Sequence, residues 1–162
     1  PPKMIFVKDY LTDFENIYQI FDKEIKKDYR GNQCEYFLYR PLESTEKLAT
    51  FSIPVENISK SGLRHLIDPE EVDEIYKLLK KPLDSNTTFD FKTIKEILYL
   101  NDPLKTVYVL KQLCANKVAT AEKFSANYQD ITNKIIHHLS AEIAFVTKKK
   151  TESIEKKILS LL

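Results

Sequence analysis

The chain has little glycine, no tryptophan and little cysteine, and each shortage narrows the class of protein it can be. Of its 162 residues only Gly31 and Gly62 are glycine. Two distant glycines cannot build a GxGxxG or P-loop phosphate cradle, because either loop needs several glycines close together. They also disfavour an all-β sandwich, whose many tight turns use glycine. Nucleotide-binding proteins built on these loops are therefore excluded.

The cysteines and the apolar runs indicate a cellular compartment. Cys34 and Cys114 are isolated in the sequence, so neither a disulfide scaffold nor a zinc site is expected, and we expect both thiols to be reduced. No apolar run approaches the roughly 18 residues of a membrane span, and the first residues lack the apolar core of a secretory signal. We expect a cytoplasmic protein with no membrane partner.

Charge is distributed unevenly along the chain. The formal net charge is +1, but residues 1–80 carry 12 basic and 15 acidic residues, against 13 and 9 in residues 81–162. An acidic front half and a basic back half suggest two partners, one of them a polyanion. Chance clustering in a lysine-rich protein is the simpler explanation, and charge alone favours it.

The first sixty residues have a β-strand pattern. Residues 17–21 and 35–39 are short aromatic and β-branched runs, and residues 50–53 alternate with period two. Between the first two runs, residues 26–32 predict a charged turn in which Gly31 takes the positive φ. We therefore predict a small, bent antiparallel sheet.

After Pro54 the pattern becomes helical. Asp68-Pro69 and Asp102-Pro103 both pair a capping residue with a proline suited to the first helical position. An apolar stripe with a spacing of four residues predicts a long helix buried along one face. The predicted helices span 69–80, 89–100, 103–115, 126–146 and 152–162. The fold class is α+β, a small β-module (1–66) followed by an all-α helical domain (67–162).

No group of residues suggests catalysis or metal binding. His137 and His138 are adjacent, so on a helix they point about 100° apart and cannot chelate one ion together. There is no nucleophile elbow and no local triad. We expect no enzymatic activity, no cofactor and no metal.

Lysines near the C-terminus allow two interpretations. Lys148-Lys149-Lys150 is followed by Lys156-Lys157. The five lysines can form a solvated turn at the end of the long helix, or a surface that contacts phosphates. The sequence leaves both interpretations open.

One segment resembles a known family. Ile53-Pro54-Val55-Glu56-Asn57-Ile58-Ser59-Lys60-Ser61-Gly62-Leu63-Arg64 is similar to the VPVENA-x-x-x-GLR segment of CarD/CdnL-type bacterial transcription regulators. An acidic helix follows in both, matched here by residues 69–74. Asn101 stands where the family usually has a glycine at a helix boundary, and residues 139–144 resemble its LLxxELA helix.

The resemblance implies a fold and a function. Such proteins have a Tudor-like module that docks on the β subunit of RNA polymerase. They also have a helical domain that touches promoter DNA at the upstream edge of the bubble and stabilises the open complex. Two expectations follow: the polymerase β subunit is a partner, and the protein contacts DNA through phosphates without sequence-specific readout. We expect a monomer.

The resemblance also implies site residues. It places the polymerase-binding face at Lys27, Tyr29, Phe51 and Ser52, where Ser52 replaces a residue that the family tends to have as basic. The family's early YPxHGxG turn is absent, and residues 10–17 occupy that region without glycine. The first hairpin is therefore predicted to differ.

On the DNA side, the resemblance points to Lys92, Lys95 and Lys134 as phosphate contacts. The family inserts a tryptophan at the bubble edge, where Thr87 stands here, with Phe89 two residues later. Phe89 either wedges into the DNA in its place or packs in the core. Two other functions stay open: a protein-interaction module of this fold that has lost DNA binding, and a general nucleic-acid-binding protein with no polymerase partner.

Overall fold

The computed structural model describes residues 3–43, 49–83, 90–119 and 126–162. By its internal contacts the chain divides into two compact units, Pro1–Leu66 and Ile67–Leu162. The first unit contains the strands and the second contains the long helices. The predicted α+β class, a small β-module followed by helices, is confirmed.

The first unit is a curled antiparallel sheet in the order β4-β3-β2-β1-β5. A 3-10 helix, Val55–Lys60, connects β4 to β5, and β5 returns to pair with β1. This four-strand meander with a fifth strand beside the first confirms the small, bent antiparallel sheet predicted from the sequence. The strands are β1 (Tyr10–Thr12), β2 (Ile17–Lys27), β3 (Gln33–Pro41), β4 (Phe51–Pro54) and β5 (Arg64–His65).

The core of this unit is formed by alternate residues of the strands. Its buried residues are apolar or aromatic: Leu11, Tyr18, Ile20, Phe37, Ile58 and Leu63. A bulge between Ile20 and Asp22 shifts the register of β2 against β3. Beyond it the hairpin extends past the core, because Ile25 on β2 is 67% exposed.

Both hairpin turns depend on aspartate side chains. The β2–β3 turn begins later than predicted, since Lys26 and Lys27 still pair with β3, while Gly31 has the expected positive φ of 82°. In the β1–β2 turn, the Asp13 carboxylate accepts the backbone N–H groups of Glu15 and Asn16, both at 2.8 Å. An aspartate thus supports the turn that lacks the family's glycines.

The described residues of the second unit form five helices. Asp68 caps α1 with a full capping box, as the sequence indicates. The second helix starts at Phe91 rather than 89, because the Asp90 carboxylate accepts the Thr93 N–H at 2.7 Å. The third reaches Ala119, beyond the predicted end at 115. The helices are α1 (Pro69–Lys80), α2 (Phe91–Leu100), α3 (Pro103–Ala119), α4 (Ala126–Thr147) and α5 (Thr151–Leu161).

The long helix α4 provides much of the second core. Its predicted apolar stripe is buried throughout: Ile131, Ile135, Leu139 and Ile143. Ile154 and Ile158 of α5 are buried as predicted, whereas Leu161 is only half-buried. Asn101 ends α2 in the left-handed conformation, with φ 57°, which suits its place at a helix boundary.

Candidate functional site

The tip of the β2–β3 hairpin presents two of the predicted polymerase-binding residues. Lys27 ends β2 and Tyr29 lies in the turn, where its side chain is 90% exposed. The Asp28 carboxylate holds the turn by accepting the N–H groups of Arg30 (2.8 Å) and Asn32 (2.9 Å). The Arg30 guanidinium lies 5.3 Å from the centre of the Tyr29 ring. The turn is therefore built to present an aromatic and a cation to solvent.

The other two predicted residues lie on β4, which is an edge strand of the sheet. Phe51 pairs with Tyr39 and Ser52 pairs with Leu38 of β3, and β4 stands at one end of the strand order. Phe51 is 45% exposed and Ser52 is exposed. An edge strand offers backbone donors and acceptors to another chain.

An aromatic cluster fixes the position of Phe51. Its ring stacks on Tyr39, with 5.6 Å between centroids, and meets Tyr18 edge-on at 6.0 Å. The Tyr18 hydroxyl donates to the Asp13 carboxylate at 2.8 Å, and burial raises the pKa of this tyrosine. Phe51 is thus a held aromatic side chain with one part open to solvent.

These four residues do not form one continuous patch. Lys27 pairs with Gln33 at one end of β3, whereas Phe51 pairs with Tyr39 six residues further along. At about 3.3 Å per residue the two positions are separated by about 20 Å. The predicted polymerase-binding residues therefore form two separate groups, one at the hairpin tip and one on the edge strand.

The segment that carries the family resemblance closes the sheet. Within 53–64, the 3-10 helix buries Ile58, and Leu63 joins the same core. The Ser61 hydroxyl donates to the Ile58 carbonyl at 2.7 Å and accepts the Leu63 N–H at 3.2 Å. Gly62 has a φ of 81°, which a residue with a side chain rarely adopts. The motif thus directs the chain from β4 back to β5.

The predicted DNA-contacting lysines lie on α2 and α4. Lys92, Lys95 and Lys134 are all exposed. The Lys95 ammonium lies 4.7 Å from the centre of the Phe91 ring, and Phe91 meets Tyr128 of α4 edge-on at 5.9 Å. This contact joins the first turns of α2 and α4.

Acidic side chains stand among these lysines. Asp90 and Glu96 flank Lys92 and Lys95 on α2, and Asp130 lies one turn before Lys134 on α4; all three acids are exposed. The backbone N–H of Thr93, followed by its hydroxyl, holds the pKa of Asp90 below its usual value, which keeps this carboxylate charged. The α2–α4 surface is therefore mixed in charge. Phe89 and Thr87, the two candidates for the wedge position, lie outside the described residues.

The two adjacent histidines point in different directions, as their spacing predicts. His137 is exposed, whereas His138 is buried with its Nε2 3.9 Å from Oε1 of Glu142. In the described ranges no three His, Cys, Asp or Glu side chains group as a metal site. Over the same ranges, Cys34 and Cys114 form no disulfide.

Two buried polar contacts were missed by the sequence analysis. Glu142, 1% exposed, accepts the backbone N–H of Ile67 at 2.9 Å, one residue before the α1 cap. The Lys111 ammonium donates to the carbonyl of Leu78 at 2.6 Å and to that of Lys81 at the end of α1. In the sequence, such a contact is indicated only by a glutamate or lysine beside an apolar helix stripe. That pattern does not indicate which backbone group the side chain binds.

No helix in the described part of the chain is long and apolar enough to cross a bilayer. Comparison of the chain with protein-family models and with curated proteins finds no family model and no curated protein that matches it.

Proposed function

We propose that the protein is a CarD/CdnL-type transcription regulator of the bacterial cytoplasm. Its β-module docks on the β subunit of RNA polymerase, and its helical unit contacts promoter DNA at the upstream edge of the bubble, which stabilises the open complex. One observation carries the proposal. A Tudor-like sheet exposes its edge strand β4, and β4 leads directly into the segment 53–64 that bears the family resemblance.

The edge strand supplies a mechanism of docking. An extended segment of a partner can pair with β4 through backbone hydrogen bonds, while Phe51 packs against its side chains. Pro54 has no N–H, and a proline within a sheet is tolerated where that missing N–H would face away from the neighbouring strand. Ser52 lies two residues earlier on the same strand, so its N–H faces the same open side. Ser52 is therefore the residue whose backbone a docking strand would bind.

The helical unit supplies the DNA contact through Lys92, Lys95 and Lys134. Lysines bind phosphates as point charges, so this contact fixes position without reading sequence. The acids Glu96 and Asp130 beside these lysines favour the second candidate function, a protein-interaction module of the same fold without DNA binding. In that second candidate function, β4 still binds a partner protein, and the helical unit does not contact promoter DNA.

Binding of the full chain to purified bacterial RNA polymerase, and to its isolated β-subunit lobe, tests the proposal. Ser52→Pro removes the outward N–H, and Ser52→Ala is the matched control that keeps it. We expect Ser52→Pro to weaken binding about tenfold, the effect of losing about 1.4 kcal/mol of backbone hydrogen bonding, with Ser52→Ala unchanged.

Three results discriminate among the explanations. Wild-type protein that binds neither polymerase nor its lobe overturns the proposal. Equal binding of wild type and Ser52→Pro, with polymerase bound, moves the interface away from β4. A loss on Lys27→Glu as well as Ser52→Pro shows that one partner spans the 20 Å between the two groups.

A further inference from the structure

Lysines are concentrated in the C-terminal parts of α1 and α5. Residues 76–83 and 156–162 contain five lysines and no acidic residue. The first turns of the same helices are acidic, with Glu70 and Glu71 on α1 and Glu152 on α5. Each helix is thus acidic in its first turn, and the lysines follow in the last turn of α1 and in the middle of α5.

The lysine-containing segments of α1 and α5 lie next to each other in the structure. The Lys157 ammonium of α5 lies 4.0 Å from the centre of the Tyr76 ring of α1. Further along both helices, Lys80 and Lys81 line the same cavity of about 300 Å³ as Leu161 and Leu162. The helices therefore run side by side in the same direction. The α1–α5 lysine surface, as we name it, consists of Lys77, Lys80, Lys81, Lys156 and Lys157.

These lysines are available for an external anion. All five are exposed, and none of them forms an ion pair within the described residues. Lysines of the first unit behave differently, since Lys23 pairs with Glu35 at 3.1 Å and Lys26 pairs with Glu24 at 3.2 Å. The α1–α5 lysine surface thus holds five lysines without a close ion pair, although Glu74 and Glu155 lie just outside the two segments.

Helix stability alone does not account for this concentration. Cations near a helix C-terminus offset its negative dipole end, and carbonyls there repel anions. In α1 that role is already filled by Lys111, whose buried ammonium binds the Leu78 and Lys81 carbonyls. The exposed lysines of α1 therefore add positive charge near carbonyls that already accept hydrogen bonds from Lys111.

We infer that the α1–α5 lysine surface binds the backbone phosphates of duplex DNA, as a contact separate from Lys92, Lys95 and Lys134. The choice of DNA as the polyanion rests on the proposed function. Lysines on two adjacent helices, whose axes lie about 8–10 Å apart, can meet several phosphates of a regular polyanion at once. The surface lacks arginine and asparagine, so it reads no base sequence.

The test measures affinity of the full chain for a short fluorescent duplex by anisotropy, over a series of salt concentrations. Lys80→Gln/Lys156→Gln removes one lysine from each helix and leaves the Lys157–Tyr76 contact in place. Lys8→Gln/Lys60→Gln is the matched control, because it removes the same charge from exposed lysines of the first unit. A third variant, Lys92→Gln/Lys134→Gln, tests the α2–α4 lysines.

We expect Lys80→Gln/Lys156→Gln to weaken binding about tenfold or more at about 0.1 M salt and to lower the log–log salt slope by about 2. The control should lose much less. If Lys80→Gln/Lys156→Gln binds with wild-type affinity and slope, or loses no more affinity than its control, the inference is overturned.

The pattern of losses separates this inference from the proposed function. Loss only with Lys92→Gln/Lys134→Gln refutes the inference and leaves the proposed DNA contact standing. Wild-type protein that does not bind the duplex refutes both, and polymerase binding then decides between the two candidate functions. Binding to vesicles of anionic phospholipid in place of DNA also overturns the inference and assigns the surface to a membrane.

Discussion

The two units place their buried polar groups differently. In the first unit the hydroxyl of the buried residue Thr12 donates to nearby backbone, at 2.9 Å from the carbonyls of both Asp13 and Asn16. In the second unit Glu142 reaches Ile67, 75 residues away, and Lys111 reaches Leu78, 33 residues away. These buried side chains thus make a local contact in the sheet and long-range contacts in the helical unit.

The difference follows from where each element satisfies its backbone. Strands bond to one another through N–H and C=O groups, so distant segments of a sheet are already joined. A helix satisfies its own backbone except at its ends, and only side chains can join one helix to another. Glu142 binds the backbone N–H of Ile67, just before α1, and Lys111 binds carbonyls at the end of α1.

Phe37→Ala should give the largest effect, because it removes a buried side chain from the core of the first unit. The sheet core has six buried residues and little other long-range side-chain support, so the cavity should cost about 4 kcal/mol. Hydrogen exchange of β2 and β3 amides measures the loss. Ile25→Ala, at an exposed position on β2, is the control and should cost little. Equal losses in the two variants would contradict the apolar core as the source of stability.

Glu142→Ala tests the long-range polar contacts of the second unit. It leaves the buried Ile67 N–H without its acceptor and should cost about 3 kcal/mol in the free energy of unfolding, measured by urea denaturation. Glu142→Gln keeps an oxygen acceptor and should recover most of that loss. If the glutamine variant is as unstable as the alanine variant, the carboxylate charge beside His138 matters more than the hydrogen bond.

The sequence predicts the local features of both units and not the long-range polar contacts. The positive φ of Gly31, the helix cap at Asp68 and the α4 stripe are encoded within a few residues, and the structure confirms them. Periodicity gives the face of Glu142 or Lys111 on its helix but not the backbone group that it meets. The separation of the predicted polymerase-binding residues likewise depends on β-sheet register, which the sequence patterns alone do not specify.

Protonation of Asp90 should give the smallest effect and sharpen the comparison, because this cap is a local contact inside the helical unit. The Thr93 N–H holds the pKa of Asp90 below its ordinary value, so the unfolded chain takes up the proton first as pH falls. The stabilising contribution of the Asp90 carboxylate is complete above the ordinary carboxyl pKa of about 4. It is lost as pH falls through the lower pKa of Asp90 in the folded protein. Asp90→Asn keeps a neutral cap and should flatten this dependence. The urea midpoint of both proteins, followed from about pH 6 to about pH 2.5, measures the difference. Parallel curves would mean that the cap acts through its hydrogen bond alone, as a neutral asparagine would, and that its charge adds nothing to α2.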